Sequence, residues 1–393
     1  MSHLWRFRAS SGIVESVTPF LLAAALALGG SASAAEGRYR ETSPQLAHQQ
    51  ASEGGQAIPN PTTIPEMWGA WCARCHAEDG SGKVNQPTIT VEPMDFTECK
   101  VTTPEPDADW ERAVAKGGPG VGLSPEMPGF EDSLTRDQIA GFVAHMRGFC
   151  KETGWPSGNT NFPRPIITEK AFPENEFVIL PAINHQRKRL APSLTDVSFV
   201  GVYERRIGKR SMVEFAVPVV SNDDSVSRVS GIGDLAVAFK HAVYASSSAP
   251  RIVSLGLEAV IPSGNHDEGL GHGTVIFEPF ITAGALLREW YVQAQFKTEW
   301  PVNTDRADRV LVYNVYAGRD TSAAPNTWTL GVEFNGENRE LALTPQLRKG
   351  LTGTGALAAS VGVMLPLNER HERGVRWVGY LLWEFLEPLR ARR

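Results

Sequence analysis

The sequence predicts a multidomain chain: a small all-α unit followed by an all-β antiparallel up-and-down barrel of about 12 strands. Three observations carry this. Between about residues 62 and 150, apolar residues recur at helical period, as in Ile139, Phe142, Val143, Met146 and Phe149. Beyond Glu176 the period changes to two, in segments of about ten residues. Between them lies KETGWPSGNTNFPRPIITEKAFPENE, rich in Pro, Gly and Asn, which reads as a stiff extended linker over 151–175.

Composition narrows the partners. The 393 residues are 42% hydrophobic and 21% charged, with a net charge of −6 and no long basic run, which argues against nucleic acid. Residues 1–35 read as a signal peptide: Arg6 and Arg8, the apolar run PFLLAAALALGG, then SASAAE with cleavage near Ala34 or Ala35. The competing reading is an uncleaved anchor. The run is too short to span a bilayer, and no other stretch approaches eighteen apolar residues, so a membrane location would not depend on helices. Residues 36–61 read as a flexible segment.

Export changes how four cysteines are read, because disulfides become permissible. Two of them sit in WGAWCARCHAEDGSG, residues 68–82. Cys72 and Cys75 could form a redox disulfide or half a zinc site, with Cys99 and Cys150 as further ligands. The histidine directly after Cys75 points elsewhere, because C-x-x-C-H is the c-type haem attachment signature. One helical turn sets both thiols along one porphyrin edge, where they add to the vinyl groups, and His76 reaches the iron as proximal ligand. The expected cofactor is one covalent haem c. A sixth ligand is then needed, and methionine raises the potential. Met127, in the Gly/Pro-rich GLSPEMPGF, is the favoured distal ligand. Met94 in VEPMDF is its rival, and Met146 and His145 lie in a helical pattern.

Three helices fit this unit. The first runs from about Ile64 through His76. The second covers about Ala108 to Lys116, capped by an Asp of PEPDAD and stopped at Gly117-Gly118. The third starts at Thr135-Arg136-Asp137-Gln138, which has capping-box spacing. Together these features resemble a class I monohaem cytochrome c over residues 62–150: CARCH, a Gly-rich loop, a methionine in MPGF and a final amphipathic helix. The resemblance implies thioether cysteines at Cys72 and Cys75, His76 as proximal ligand and Met127 as distal ligand. Cys99 and Cys150 depart from that pattern and read as a disulfide tying the haem-edge loop to the end of the last helix.

The β region, 176–388, is followed by a short tail, 389–393. In REWYVQAQFKTEW, Trp290, Val292, Ala294, Phe296, Thr298 and Trp300 share one face, and Gln293, Gln295, Lys297 and Glu299 lie on the other. NTWTLGVEFNGE and VRWVGYLLWEFL alternate in the same way. An apolar face with aromatics near its ends, a polar opposite face and charged loops are the pattern of a transmembrane barrel. A soluble β-sandwich alternates too, but here the apolar face is almost free of charge. Trp383-Glu384-Phe385 is similar to the aromatic end of outer-membrane strands. GIGDLAVAFKHAVY with LEAVIPSGNHDEGLGHG resembles the transporter-like barrels associated with phenol degradation, which implies a channel or uptake role.

The overall plan is similar to cytochrome–porin fusions. It implies electron transfer at the periplasmic mouth of an outer-membrane barrel, between a periplasmic electron carrier and a small solute reached through the pore. The alternative is a solute channel whose cytochrome unit is a redox sensor or docking module. No nucleophile–base pair supports an enzyme. His241, His266, His272 and His371 read as solvated loop residues, and the acidic loop SNDD at 221–224 as a polar loop.

Overall fold

The computed structural model describes residues 61–385 apart from Pro87, 187–193, 224–226, Pro325 and 369–373. The expected signal peptide, nearly all of the flexible segment 36–61, His371, Asp224 and the tail 389–393 lie outside the described residues.

The helical unit opens with α1 (Ile64–Met67). Thr63 caps it, and Glu66 completes the capping box. The chain runs on as one π-turn (Trp68–Cys72) into α2 (Ala73–His76). After the loop come α3 (Cys99–Thr102), α4 (Asp107–Gly120) and α5 (Arg136–Arg147). The Thr135–Gln138 capping box of α5 forms as its spacing predicts. Trp68, Trp110, Phe142, Val143 and Met146 build a buried core between these helices. The second helix stops at Gly117 as expected but differs from expectation in its cap. No side chain of PEPDAD caps it; the Asp107 N–H donates to Asn159 Oδ1 (2.9 Å), in the segment beyond the unit. Its regular helix ends at Gly117, whose φ of 70° turns the chain where a Cβ would meet the Met127 carbonyl.

Thirteen strands follow: β1 (Glu176–Gln186), β2 (Leu194–Ile207), β3 (Ser211–Asp223), β4 (Arg228–Ile232), β5 (Leu235–Ser246), β6 (Arg251–Ile261), β7 (Ile276–Leu287), β8 (Trp290–Pro301), β9 (Val310–Asp320), β10 (Trp328–Glu337), β11 (Glu340–Gly350), β12 (Leu357–Pro366) and β13 (Val375–Glu384). β4 and β5 both pair with β3, at its far and near halves, and so share one position in the wall. The result is a closed, antiparallel, twelve-strand barrel. β1 pairs with β2 on one side and with β13 on the other, Glu176 facing Glu204 and Glu384. Closure pairs every full-length wall strand on both sides; the short β4 pairs with β3 alone.

The wall is inverted relative to a soluble core. In β8, Gln293, Lys297 and Glu299 are at most 1% exposed, whereas Trp290 and Trp300 on the outer face are 47% and 58% exposed. Phe215, Phe239, Leu257, Ile281 and Leu330 are likewise exposed on the outside. Trp290, Trp328 and Trp383 mark one rim of this belt, and Trp300 and Trp377 the other. From Trp290 to Trp300 is ten residue steps, about 34 Å of strand, or roughly 24 Å of height at a tilt near 45°. That matches the apolar band of a membrane barrel, about 25 Å. No helix among the described residues is long and apolar enough to cross a membrane.

Residues 151–175, read from sequence as a linker, do more than connect. Its later part, from about Phe162, enters the lumen from the end where β1 starts and β13 finishes, reaches mid-barrel and returns to begin β1. Phe162, Ile166, Thr168, Phe172 and Glu174 are all at most 3% exposed. Glu333, midway along β10 and fully buried, holds the deepest part. Its Oε1 accepts the N–H of Ile166 (2.9 Å) and Ile167 (3.0 Å), and its Oε2 accepts the N–H of Thr168 (2.6 Å) and the Thr168 hydroxyl (2.5 Å). Gln293 and Tyr380 donate to the carbonyls of Pro163 and Arg164, and Ser254 donates to that of Ala171. Arg164 pairs with Glu176 and Glu204, Lys240 with Glu169, and Lys170 with Glu174.

Glu333→Ala leaves three buried backbone donors without their acceptor, a loss of about 3 kcal/mol or more. Amide hydrogen exchange of residues 162–174 is expected to speed up by on the order of 100-fold, with the strands little changed.

Candidate functional site

The end of the helical unit's first helical run carries Cys72, Cys75 and His76. Cys72 and Cys75 are half-buried free thiols. Cys99 and Cys150 are joined by a disulfide, with Cα atoms 5.1 Å apart, which ties α3 to the chain just after α5. Burial, with the neighbouring Cys75 adding to it, pushes the Cys72 thiol up to about 11. His76 lies between Trp68 and Phe96, ring centroids 6.0 and 5.0 Å away. Burial lowers its pKa, opposed by the Met94 carbonyl. Its Nδ1 is enclosed and makes no hydrogen bond.

The backbone leaves His76 sharply. Ala77 has φ 63° and ψ 159°, a region almost reserved for glycine and costing roughly 1–3 kcal/mol. Trp68 Nε1 donates to the Ala77 carbonyl (3.1 Å) and holds that bend. Met94 and Phe130 pack against the same core as Cys72. Met127 is half-buried on the loop after α4. Its carbonyl accepts the Gly118 N–H (3.0 Å), and it does not join that core. Met146 is a buried core residue, whereas His145 packs beside Trp68 and Phe149.

These residues fit a c-type haem: two unpaired thiols one turn apart, a following imidazole with an unpartnered ring nitrogen, and aromatic walls. The same unit is seated on the barrel mouth. Lys209 Nζ and Arg210 Nε, in the turn between β2 and β3, donate to the carbonyls of Thr153 (2.8 Å) and Gly154 (2.7 Å). A methyl added at Gly353, between β11 and β12, would lie 3.2 Å from the Gly122 Cα, so the loop bearing Met127 touches the rim backbone to backbone. Asn159 Nδ2 bonds Asp107 Oδ2 (2.7 Å), and Arg147 Nε bonds Asp107 Oδ1 (2.8 Å) while its guanidinium stacks on Trp110. The root of the inserted segment is therefore gripped by α4 and α5.

Of the histidines read as solvated, His272 is half-buried and tethered: its backbone N–H (2.7 Å) and Nδ1 (2.9 Å) bond to Asp234 Oδ2. Asp234 Oδ1 also accepts the Gly264 N–H (3.0 Å), and the Ser263 hydroxyl bonds the Gly233 carbonyl (3.0 Å). The GIGD and PSG motifs thus meet and pin one loop at the far mouth. His241 bonds the Ser211 hydroxyl (2.8 Å), and His266 the Gly271 carbonyl (3.2 Å). Sequence reasoning missed Arg164, Glu169 and Lys170 as lumen residues. The available signal was the apolar content of FPRPIITEKAF, with Phe162, Ile166, Ile167 and Phe172 interspersed with the charges, which a solvated linker does not need.

No known family profile matches the chain, and no curated protein matches it. Among solved structures it is similar to an outer-membrane channel from Pseudomonas putida F1, at 14% identity over 57% of this chain and 100% of that one, with a TM-score of 0.45. It is also similar to the KdgM porin (9% identity, 53% and 99% covered, TM-score 0.38). Outer membrane phospholipase A from Escherichia coli is a further likeness (10% identity, 57% and 95% covered, TM-score 0.33).

Glu105, between α3 and α4, lies partly buried near Glu174 of the inserted segment. Burial first, then the charge of Asp109, push its carboxyl up to about 7, with Arg147 opposing. The folded value lies above the unfolded one of about 4.3. Its stabilising contribution is complete below that pH and is lost as pH rises through about 7. The melting midpoint of the helical signal at 222 nm is expected to fall between pH 5 and pH 8, and Glu105→Gln to flatten that slope.

Proposed function

We propose that the chain is an outer-membrane barrel bearing a cytochrome c unit at its periplasmic mouth, and that it transfers electrons there through one covalent haem c. The observation that carries this is the pair of unpaired thiols, Cys72 and Cys75, followed by an enclosed imidazole, in a unit whose other two cysteines are paired. The apolar belt between two rows of tryptophan supports the membrane location. A closed barrel with both chain ends at one mouth, where the turn from β2 to β3 is short, supports the periplasmic side for that end.

Bound haem supplies a one-electron iron couple. The chain's own residues do the rest. Cys72 and Cys75 would hold the porphyrin through thioether bonds, and His76 would offer its imidazole to the iron. Trp68, Phe96 and Trp110 exclude water, which favours the less charged state of the site. Met127 would supply the second protein ligand to the iron, and Met94 is the alternative. Because the inserted segment occupies the lumen, a periplasmic electron carrier meets the haem from the periplasm. A solute from the outside reaches it only when that segment withdraws.

The polar inner wall, with Gln293, Gln295, Asn314 and Asn335, favours a second reading: a solute channel whose helical unit senses redox state or docks a partner. It too requires the segment to leave.

Expression with the c-type maturation machinery is expected to give a red protein in the outer-membrane fraction whose haem stain survives denaturing gels. Cys72→Ala with Cys75→Ala is expected to abolish that stain. Met127→Ala is expected to remove the methionine-to-iron charge-transfer band and to lower the reduction potential, while Met94→Ala keeps both. A colourless product from the unaltered chain would sink the electron-transfer reading. Loss of the band in Met94→Ala alone would transfer the ligand.

A further inference from the structure

Within the lumen, Glu204 of β2 and Glu214 of β3 meet Glu169 of the inserted segment. One carboxylate oxygen from each lies within 4.8 Å of the other two. All three residues are at most 5% exposed. Their surroundings leave negative charge unbalanced. Lys240 Nζ engages Glu169 through Oε1 (2.7 Å). Arg164 Nη1 engages Glu204 through Oε1 (2.6 Å) and is shared with Glu176. The second oxygen of Glu204, Oε2, is enclosed and has no hydrogen-bond partner. Glu214 makes no ion pair or hydrogen bond among the described residues, and the next carboxylate facing it, Glu258, pairs with Lys297 (3.2 Å). Four acids, Glu169, Glu176, Glu204 and Glu214, thus face two cations, and two negative charges are left over in a buried site. Buried charge without a partner is strongly disfavoured.

We propose that Glu169, Glu204 and Glu214 bind one calcium-class divalent cation, which latches the inserted segment to the barrel wall. Carboxylate oxygens are hard donors suited to such an ion. Calcium holds its oxygens at about 2.3–2.6 Å, so ligands on opposite sides stand up to about 5 Å apart, as this cluster allows. Its tolerance of irregular geometry suits three side chains from separate elements better than the strict octahedron of magnesium. A divalent ion cancels the two leftover charges. Because Glu169 comes from the segment and the other two from the wall, the ion joins the two parts directly.

The test uses the full-length protein in detergent micelles, stripped with EDTA and dialysed at pH 7.5. After equilibration with calcium chloride and removal of free ion, mass spectrometry is expected to count one calcium per chain, and fewer than about 0.1 in Glu214→Gln. Hydrogen exchange of residues 162–174 is expected to speed up about tenfold on EDTA treatment and to be restored by calcium but not by equal magnesium. This cycle reads the site in the unaltered chain, and so holds even if Glu214→Gln fails to fold. Absence of retained calcium, or exchange in the unaltered chain that is indifferent to EDTA and calcium, overturns the proposal in favour of carboxyls neutralised by protons. Equal restoration by magnesium overturns the calcium-class assignment.

Discussion

A cylinder whose outer face is apolar must keep its polar side chains indoors, and this constraint orders the whole barrel. Strands alternate, so each outward Phe, Leu or Trp fixes an inward Glu, Lys or Gln as its neighbour. Twelve strands of such residues place many charges in a narrow, enclosed space. The interior has to neutralise itself. It does so partly across the wall, as where Lys297 meets Glu258 and Glu278, and partly by drawing in the chain's own segment. Glu333 shows the logic at one residue. Its carboxylate would be costly alone, and the backbone N–H groups of Ile166, Ile167 and Thr168 would be equally costly. Together they satisfy one another.

Much of this was legible in the sequence, because period two is a local property. The alternation in REWYVQAQFKTEW assigns each residue of β8 to its face, and burial follows that assignment from Gln293 to Glu299. The Thr135–Gln138 capping box and the helical stripe of α5 were legible for the same reason. The fate of residues 151–175 was not. Pro, Gly and Asn announce the absence of regular structure but do not say where an irregular chain lies. The partners that hold it, Glu333 and Lys240, are far away in sequence and carry no local mark. The Asn159 cap on α4 was hidden likewise, since a cap supplied from fifty residues away leaves no spacing to read. Glu204 and Glu214 face each other across the β2–β3 hairpin, but Glu169 joins them only when the inserted segment enters the lumen.

The helical unit and the barrel are joined by more than a peptide bond. Arg147 stacks on Trp110 inside the unit and also holds Asp107, which Asn159 reaches from the root of the inserted segment. Lys209 and Arg210 grip the backbone of Thr153 and Gly154 from the rim. The loop that carries Met127 touches the turn at Gly353. A change in packing at α4 or in that loop therefore acts on the same surfaces that seat the unit.

The inserted segment enters and leaves by one mouth, with Asn159 at its root and β1 at its exit. It behaves like a stopper on a short cord. Released from Glu333, it stays near the opening at an effective concentration of millimolar order, set by tether length and not by how much protein is present. Re-entry would then be unimolecular and would ask no partner for help, because both ends of the segment stay joined to folded structure on the same side.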